Sequence, residues 1–177
     1  KNIKKYLSGK TKDISKINEY TIYPIVYGYF EQKHEIRRQY FQLEEFIEKK
    51  IFIPKNNLFF LKINLDGEKK RKIDIILENA ETSRLVIWDS RLDNLELKIS
   101  NKYNNIINNR NNLRYDENLL TGCLTIIDSF IYNSEITSSN SLCEDSVNFV
   151  RTKGWVKKIN ITNAIQDAVD VDFSNII

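Results

Sequence analysis

The chain has 177 residues, 41% of them hydrophobic, and its net charge of +3 comes from 27 basic and 24 acidic residues. This length can bury a core, and we expect a single domain over residues 1–177. The nearly balanced charge excludes the dense basic face typical of nucleic-acid-binding proteins, and no apolar run reaches the length of a membrane span.

Short segments rich in β-branched and aromatic residues recur along the chain and predict strands. They lie at residues 20–30, 37–43, 57–64, 72–77, 85–88, 95–99, 119–131, 146–150, 155–161 and 173–177. Polar loops are predicted at 103–118 and 136–144, and Asp66-Gly67 marks a turn. For 119–131 the periodicity also permits a buried helix. Roughly eight to ten short strands with no evident repeat predict an all-β sandwich or barrel.

One or two short helical turns are predicted, at residues 44–50 and 162–169. The second follows the alternating pattern of 155–161, and a threonine stands where its hydroxyl can cap the turn. Apolar residues then recur at helical spacing and would pack the turn over an open end of the sandwich. The predicted closure motif consists of Trp155, Thr162, Ile165 and Val169.

The only two cysteines are Cys123 and Cys143. A single widely spaced pair without a nearby histidine does not fit a metal site. Two interpretations stay open, namely two buried thiols or one disulfide, and secretion would favour the disulfide.

Catalytic residue patterns are weak. The sole histidine, His34, lies in a polar turn that indicates a solvated loop. Asp74 followed by Asp89 and Arg91 is similar in spacing to metal-dependent nucleases, but the position of the catalytic lysine is held by an arginine, which cannot act as a base. We therefore expect no catalytic residues, no metal and no cofactor.

The aromatic residues include a strand-like group with one shared parity, Tyr23, Tyr27 and Tyr29, and a separate tryptophan, Trp88. Their default role is core packing. The alternative is a stacking surface for sugars or bases. These four residues are the candidate ligand-binding residues.

Four segments taken in order carry a resemblance to a known family: residues 5–29, 37–47, 51–61 and 155–169. They resemble the extracellular DNRLRE-type modules, which are grouped with a carbohydrate-binding module family. The closing segment is also similar to the prodomains of transforming-growth-factor-β-like proteins. The chain departs from the pattern at Glu44 and Asn160, where the family has aspartate. The resemblance implies a jelly-roll β-sandwich, and no sugar-site residue is carried over from it.

These observations together predict a non-enzymatic extracellular β-sandwich module. It would be a structural subunit of a cell-surface layer, appendage or adhesive protein, and it would associate with itself or with neighbouring domains. One alternative is a carbohydrate-binding module that recognises a polysaccharide. Another is an OB-like domain that binds single-stranded nucleic acid, although the charge argues against nucleic acid as a partner.

Overall fold

A computed structural model describes residues 17–24, 37–42, 47–55, 57–79, 82–102 and 120–177, with side chains from residue 47 onward. Every regular element within these ranges is a β-strand. The strands are β1 (Ile17–Pro24), β2 (Arg37–Gln42), β3 (Glu48–Ile53), β4 (Asn57–Lys62), β5 (Arg71–Leu77), β6 (Arg84–Trp88), β7 (Arg91–Asp93), β8 (Leu95–Asn101), β9 (Gly122–Ile127), β10 (Phe130–Ser139), β11 (Asp145–Val150), β12 (Lys153–Thr162), β13 (Asp167–Asp172) and β14 (Asn175–Ile176).

The strands form two sheets, and from β3 onward the chain alternates between them. Sheet A has the order β13-β11-β9-β6-β4-β1-β2, and sheet B has the order β14-β12-β10-β8-β5-β3, with β7 beside β10. From β3 to β14 each strand pairs in parallel with a strand of a neighbouring coil. The result is a β-solenoid of about five coils.

The predicted jelly-roll β-sandwich is therefore wrong, although the all-β class is correct. A jelly roll pairs its strands antiparallel, whereas here the antiparallel pairs are confined to β1 with β2 and β1 with β4. In both architectures successive side chains of a strand point to opposite faces of the sheet, so this alternation does not distinguish them. The sequence pattern consequently located strands without indicating how they pair.

The main core lies between the two sheets. In sheet B, β5, β8 and β10 alternate between buried and more exposed residues, whereas β4, β6, β9 and β11 of sheet A are buried along nearly their whole length. Sheet A contributes a row in which Phe59, Leu85, Leu124 and Val147 succeed one another in neighbouring coils, and all are fully buried. Sheet B contributes the facing branched residues, including Ile73, Leu97 and Ile136. Burial of each such side chain contributes about 1.5–3 kcal/mol relative to exposure.

The corner from sheet A to sheet B is repeated in four coils. Each time, a residue with positive φ precedes a buried or half-buried hydroxyl residue. The positive-φ residues are Asp89 (43°), Asp128 (51°), Arg151 (48°) and Phe173 (52°). The hydroxyl residues that follow them are Ser90, Ser129, Thr152 and Ser174.

These hydroxyls join neighbouring coils. The Ser129 hydroxyl accepts the Ser90 backbone N–H at 3.1 Å and donates to the Ile127 carbonyl at 2.8 Å. The Ser174 hydroxyl likewise accepts the Thr152 N–H at 2.8 Å. Because backbone groups at a buried corner must find partners, the hydroxyls satisfy donors that the parallel ladder leaves free.

Several predicted elements change in the structure. Residues 119–131 do not form one strand, because the corner at Asp128 divides them between β9 and β10. The predicted loop at 136–144 is strand as far as Ser139. Residues 44–46 and the predicted loop at 103–118 lie outside the described residues, and Glu48–Lys50 belongs to β3.

The predicted helical turn at 162–169 is absent. Asn163 has a φ of 57° and turns the chain out of β12, after which Asp167 begins β13. β13 then pairs in parallel with β11. The helical spacing of apolar residues arose from a corner between two strands, so Thr162 ends a strand and does not cap a helix.

Candidate functional site

Three exposed aromatic residues lie on the outer surface of sheet B, and we call them the aromatic face. Phe130 and Tyr132 alternate with buried Ile131 in β10, so both rings point outward. Tyr132 pairs with Trp155 of the next coil. The register of parallel strands thus brings together rings that are 23 residues apart in sequence.

The geometry of the pair leaves ring surface available. The Tyr132 and Trp155 ring centroids are 5.6 Å apart with an interplanar angle of 62°, an edge-to-face arrangement. Tyr132 is 48% exposed and Trp155 is 39% exposed. Ile177 lies beside Trp155, since its N–H donates to the Gly154 carbonyl and its own carbonyl accepts the Val156 N–H.

Polar groups border the aromatic face. The Arg91 guanidinium carbon lies 5.1 Å from the Phe130 ring centroid, and an Arg91 N–H donates to the Asp93 carboxylate at 3.0 Å. Lys153 pairs with Phe130 in the next coil and is exposed. Rings and charged hydrogen-bonding groups therefore alternate along one flat surface.

Ion pairs continue along the same outer surface. The Lys70 and Lys98 ammonium groups lie 2.9 and 3.1 Å from the Glu96 carboxylate, and their hydrogen bonds, that of Lys70 first, lower its pKa. Lys157 lies 2.9 Å from Glu135 and lowers the pKa of that carboxyl in the same way. The exposed large hydrophobic residues of β10 and β12 are the three of the aromatic face and Ile159.

A surface of this kind suits a sugar ligand. The C–H groups on one side of a sugar ring pack against aromatic rings, while its hydroxyls need donors and acceptors at the edge. Strands in a sheet are about 4.8 Å apart, so β7, β10, β12 and β14 together present a strip about 14 Å wide. That width accommodates more than one sugar ring of a polysaccharide.

Among the described side chains, this surface contains none of the aromatic residues proposed from sequence. Tyr23 lies in β1, where only the backbone is described, and Tyr27 and Tyr29 lie outside the described residues, as does His34. Trp88 is on sheet A, against an apolar cluster that includes Val86.

A charged group also lies over the Trp88 ring. The Lys62 ammonium lies 4.9 Å from its centroid and pairs with Asp89. Trp88 therefore shares no surface with Trp155, which belongs to the opposite sheet.

The residues of the predicted closure motif lie on different elements of the structure. Trp155 is an outward residue of β12, and Ile165 lies in the corner after that strand. Val169 lies in β13 and packs against the main core. These residues therefore do not close the end of a sandwich. The exposed position of Trp155 beside Tyr132 was not predicted from the sequence.

Cys123 and Cys143 are bonded to each other. Cys123 lies in β9 and Cys143 just before β11, and both are buried in the core. The bond encloses a segment with a sequence separation of 20, which is close to one coil. It therefore ties two successive coils together.

A largely buried polar cluster lies beside the neighbouring strands β9, β11 and β13 of sheet A, and it consists of Thr121, Asp145, Asn148 and Asp172. Burial, and to a smaller extent the charges of Asp170 and Asp167, raise the pKa of Asp145. In the described part of the chain, no three acid, histidine or cysteine side chains are grouped as metal ligands.

The nuclease-like acids do not meet, because Asp74 lies in β5 of sheet B and Asp89 follows β6 of sheet A. No helix among the described residues is long and apolar enough to cross a membrane. No protein-family model, curated protein or solved structure matches the chain.

Proposed function

We propose that the chain is a non-enzymatic extracellular module that serves as a structural unit of a surface-layer, appendage or adhesive protein. The carrying observation is the buried disulfide between Cys123 and Cys143, because such bonds persist in oxidising compartments and are rare in reducing ones. A solenoid also suits a structural role, since each coil supports its neighbours along one axis.

The proposal is tested on the full-length protein in its own cells. Labelling of intact cells with a membrane-impermeant reagent should reach the protein, and non-reducing peptide mapping should recover Cys123 joined to Cys143. Protein that is protected from the reagent and carries free thiols would overturn the proposal. Purified protein produced with and without reducing agent provides the mobility standards.

A second candidate function, recognition of polysaccharide, is favoured by the exposed Tyr132–Trp155 pair. The sugar site expected from sequence at Tyr23, Tyr27, Tyr29 and Trp88 stays a prediction. Recognition of polysaccharide is compatible with an adhesive module, because a repeated glycan can contact several coils at once. The OB-like alternative depended on a barrel, whereas the chain forms a solenoid.

A glycan array followed by titration of the best-bound polysaccharide tests this function. Trp155→Ala and Tyr132→Ala should each weaken binding at least tenfold, since each removes a ring from the centre of the contact. Phe52→Ala is the matched control, because Phe52 is 45% exposed on the same sheet but lies in β3. An array without hits, or equal losses in all three variants, would refute the assignment.

A further inference from the structure

The last described coil of the solenoid exposes apolar residues at one end of the molecule. Val171, Phe173 and Ile177 are 49%, 90% and 84% exposed. Val171 pairs with the fully buried Phe149 of the preceding coil, so it continues a row of the core. A core position this exposed lacks the neighbouring coil that covers the same position in the interior of the solenoid. Contiguous apolar surface of this kind is typical of an interaction site.

The end of sheet A is a free strand edge. Among the described strands, β13 has a neighbour on one side only, which is β11. The Asp172 carbonyl accepts the Arg151 N–H on that side, and successive backbone groups of a strand point to alternate sides, so the Val171 N–H points to the free edge. There the Asp170 carboxylate accepts it at 2.8 Å. A carboxylate thus stands where the carbonyl of another strand would bind.

The corner beside this edge also points beyond the last coil. In the two preceding coils the equivalent corner residues are Asp128 and Arg151, and the Arg151 guanidinium donates to the Asp128 carboxylate at 2.7 Å. Corner side chains therefore contact the corner of a neighbouring coil. Phe173 has the same corner position, with a φ of 52°, and its exposed ring is placed to contact a coil beyond β13.

The opposite edge of sheet A is β2. β2 is antiparallel to β1, and β1 is antiparallel to β4, so β2 runs in the same direction as β4. The parallel ladder from β4 through β6, β9 and β11 carries this direction to β13. A second copy in the same orientation, further along the solenoid axis, would therefore bring its β2 beside β13 as another parallel strand. Such a head-to-tail contact can repeat without closing.

The two edges carry opposite charges. β13 (Asp167–Asp172) has three aspartates and no basic residue, whereas β2 (Arg37–Gln42) has two arginines and no acidic residue. Opposite charges on paired strands are favourable, and like charges directly opposite each other are unfavourable. A two-fold dimer would pair β13 with a second β13 and set aspartates against aspartates. The charges therefore favour β2 of another copy as the partner of β13.

We propose that copies of this chain assemble head to tail, with β13 of one copy paired in parallel with β2 of the next. Seven strands spaced about 4.8 Å apart give an axial repeat of about 34 Å. Only sheet A continues directly, because the path of sheet B has six strands. This assembly rests on the structural role proposed above but not on an extracellular location, so a failure of cell labelling and a failure of assembly are separate results.

Sedimentation velocity of the purified, oxidised chain at rising concentration tests the assembly. We expect species that grow beyond the dimer and, in electron micrographs, filaments with a repeat of about 34 Å. Asp170→Lys sets a base against the arginines of β2, and Phe173→Ser removes the exposed ring, so each should weaken association at least tenfold. Because Phe173 is so exposed, Phe173→Ser should leave the unfolding temperature unchanged, which separates loss of assembly from loss of folding.

Mixing of variants tests which edges meet. The double variant Arg37→Glu, Arg38→Glu has an altered β2 and a native β13, whereas Asp170→Lys has the reverse. Each alone should associate at least tenfold more weakly than the native chain, and an equimolar mixture should associate because it contains one native copy of each edge. Circular dichroism of each variant establishes that it folds.

Asp66→Lys is the matched control, because it makes the same change of charge in the turn between β4 and β5, away from both edges. It should assemble like the native chain. A native chain that stays monomeric at millimolar concentration would overturn the proposal, since another segment or partner would then cover the end. A dimer that does not grow, equal weakening by Asp66→Lys and Asp170→Lys, or a mixture that remains monomeric would also overturn it.

Discussion

Replacement of Ser129 by alanine tests whether the corner hydroxyls hold the coils together. The Ser129 hydroxyl accepts the Ser90 N–H at 3.1 Å, and both residues are buried, at 7% and 6% exposure. Ser129→Ala leaves that N–H without an acceptor, which costs about 1–3 kcal/mol of unfolding free energy. For a chain of this size the unfolding temperature should fall by about 2–4 °C per kcal/mol.

Urea unfolding followed by tryptophan fluorescence measures the loss, and an unchanged slope shows that the unfolded state is unaffected. Ser129→Thr is the matched control, because Thr152 occupies the equivalent corner of the next coil and the hydroxyl is kept. It should retain most of the stability. A cost below about 0.5 kcal/mol for alanine, or an equal cost for threonine, would show that the corner hydroxyl does not hold the coils together.

Three further predictions concern the frame of the solenoid. Reduction of the Cys123–Cys143 bond, which has a sequence separation of 20, should lower stability by about 3 kcal/mol, measured by urea unfolding with and without reductant. Glu96→Gln should destabilise by less than about 1 kcal/mol at pH 7. That difference should vanish in acid, because Lys70 lowers the Glu96 pKa, and a lowered carboxyl pKa stabilises only above it. Gly154→Ala should cost at least about 3 kcal/mol in thermal unfolding, since φ is 129° and a Cβ would lie 1.8 Å from a carbonyl oxygen.

The strands of this fold were largely predictable, whereas their pairing was not. Residues 57–64, 72–77 and 85–88 were predicted as strands and correspond to β4, β5 and β6. A strand buried on one face alternates in the same way whether its neighbour runs parallel or antiparallel. The pairing partner depends on how the corners direct the chain, and alternation carries no information about that.

The repeat was present in the sequence but obscured. Ser129, Thr152 and Ser174 follow one another at intervals of 23 and 22 residues, each after a positive-φ position. The preceding interval, from Ser90, is 39 residues because an additional segment separates β8 from β9. The repeated residues are small hydroxyl residues, which a search for hydrophobic periodicity does not weigh.

The candidate sites could not be predicted from the sequence, because they depend on the register between paired strands. The parity of Phe130 and Tyr132 places both on one face of a strand, but their meeting with Trp155 requires the parallel pairing of β10 with β12. Trp155 was instead assigned to a closure motif because the following residues had helical spacing. In the polar cluster, Asn148 gives no signal by itself, since an isolated asparagine in an apolar segment fits any outward strand position.

The aromatic face and the polar cluster are consequences of the register that the corners fix. Tyr132 meets Trp155, and Asn148 meets Asp172, only while neighbouring coils remain aligned. Since Ser129 lies just before the aromatic strand β10, its hydrogen bonds influence the surface without contacting any ligand. A loss of binding in a corner variant would therefore be accompanied by reduced stability. A loss of binding caused by removal of a ring or a carboxylate should leave the stability of the solenoid unchanged. This difference distinguishes residues that position the surface from residues that contact the ligand.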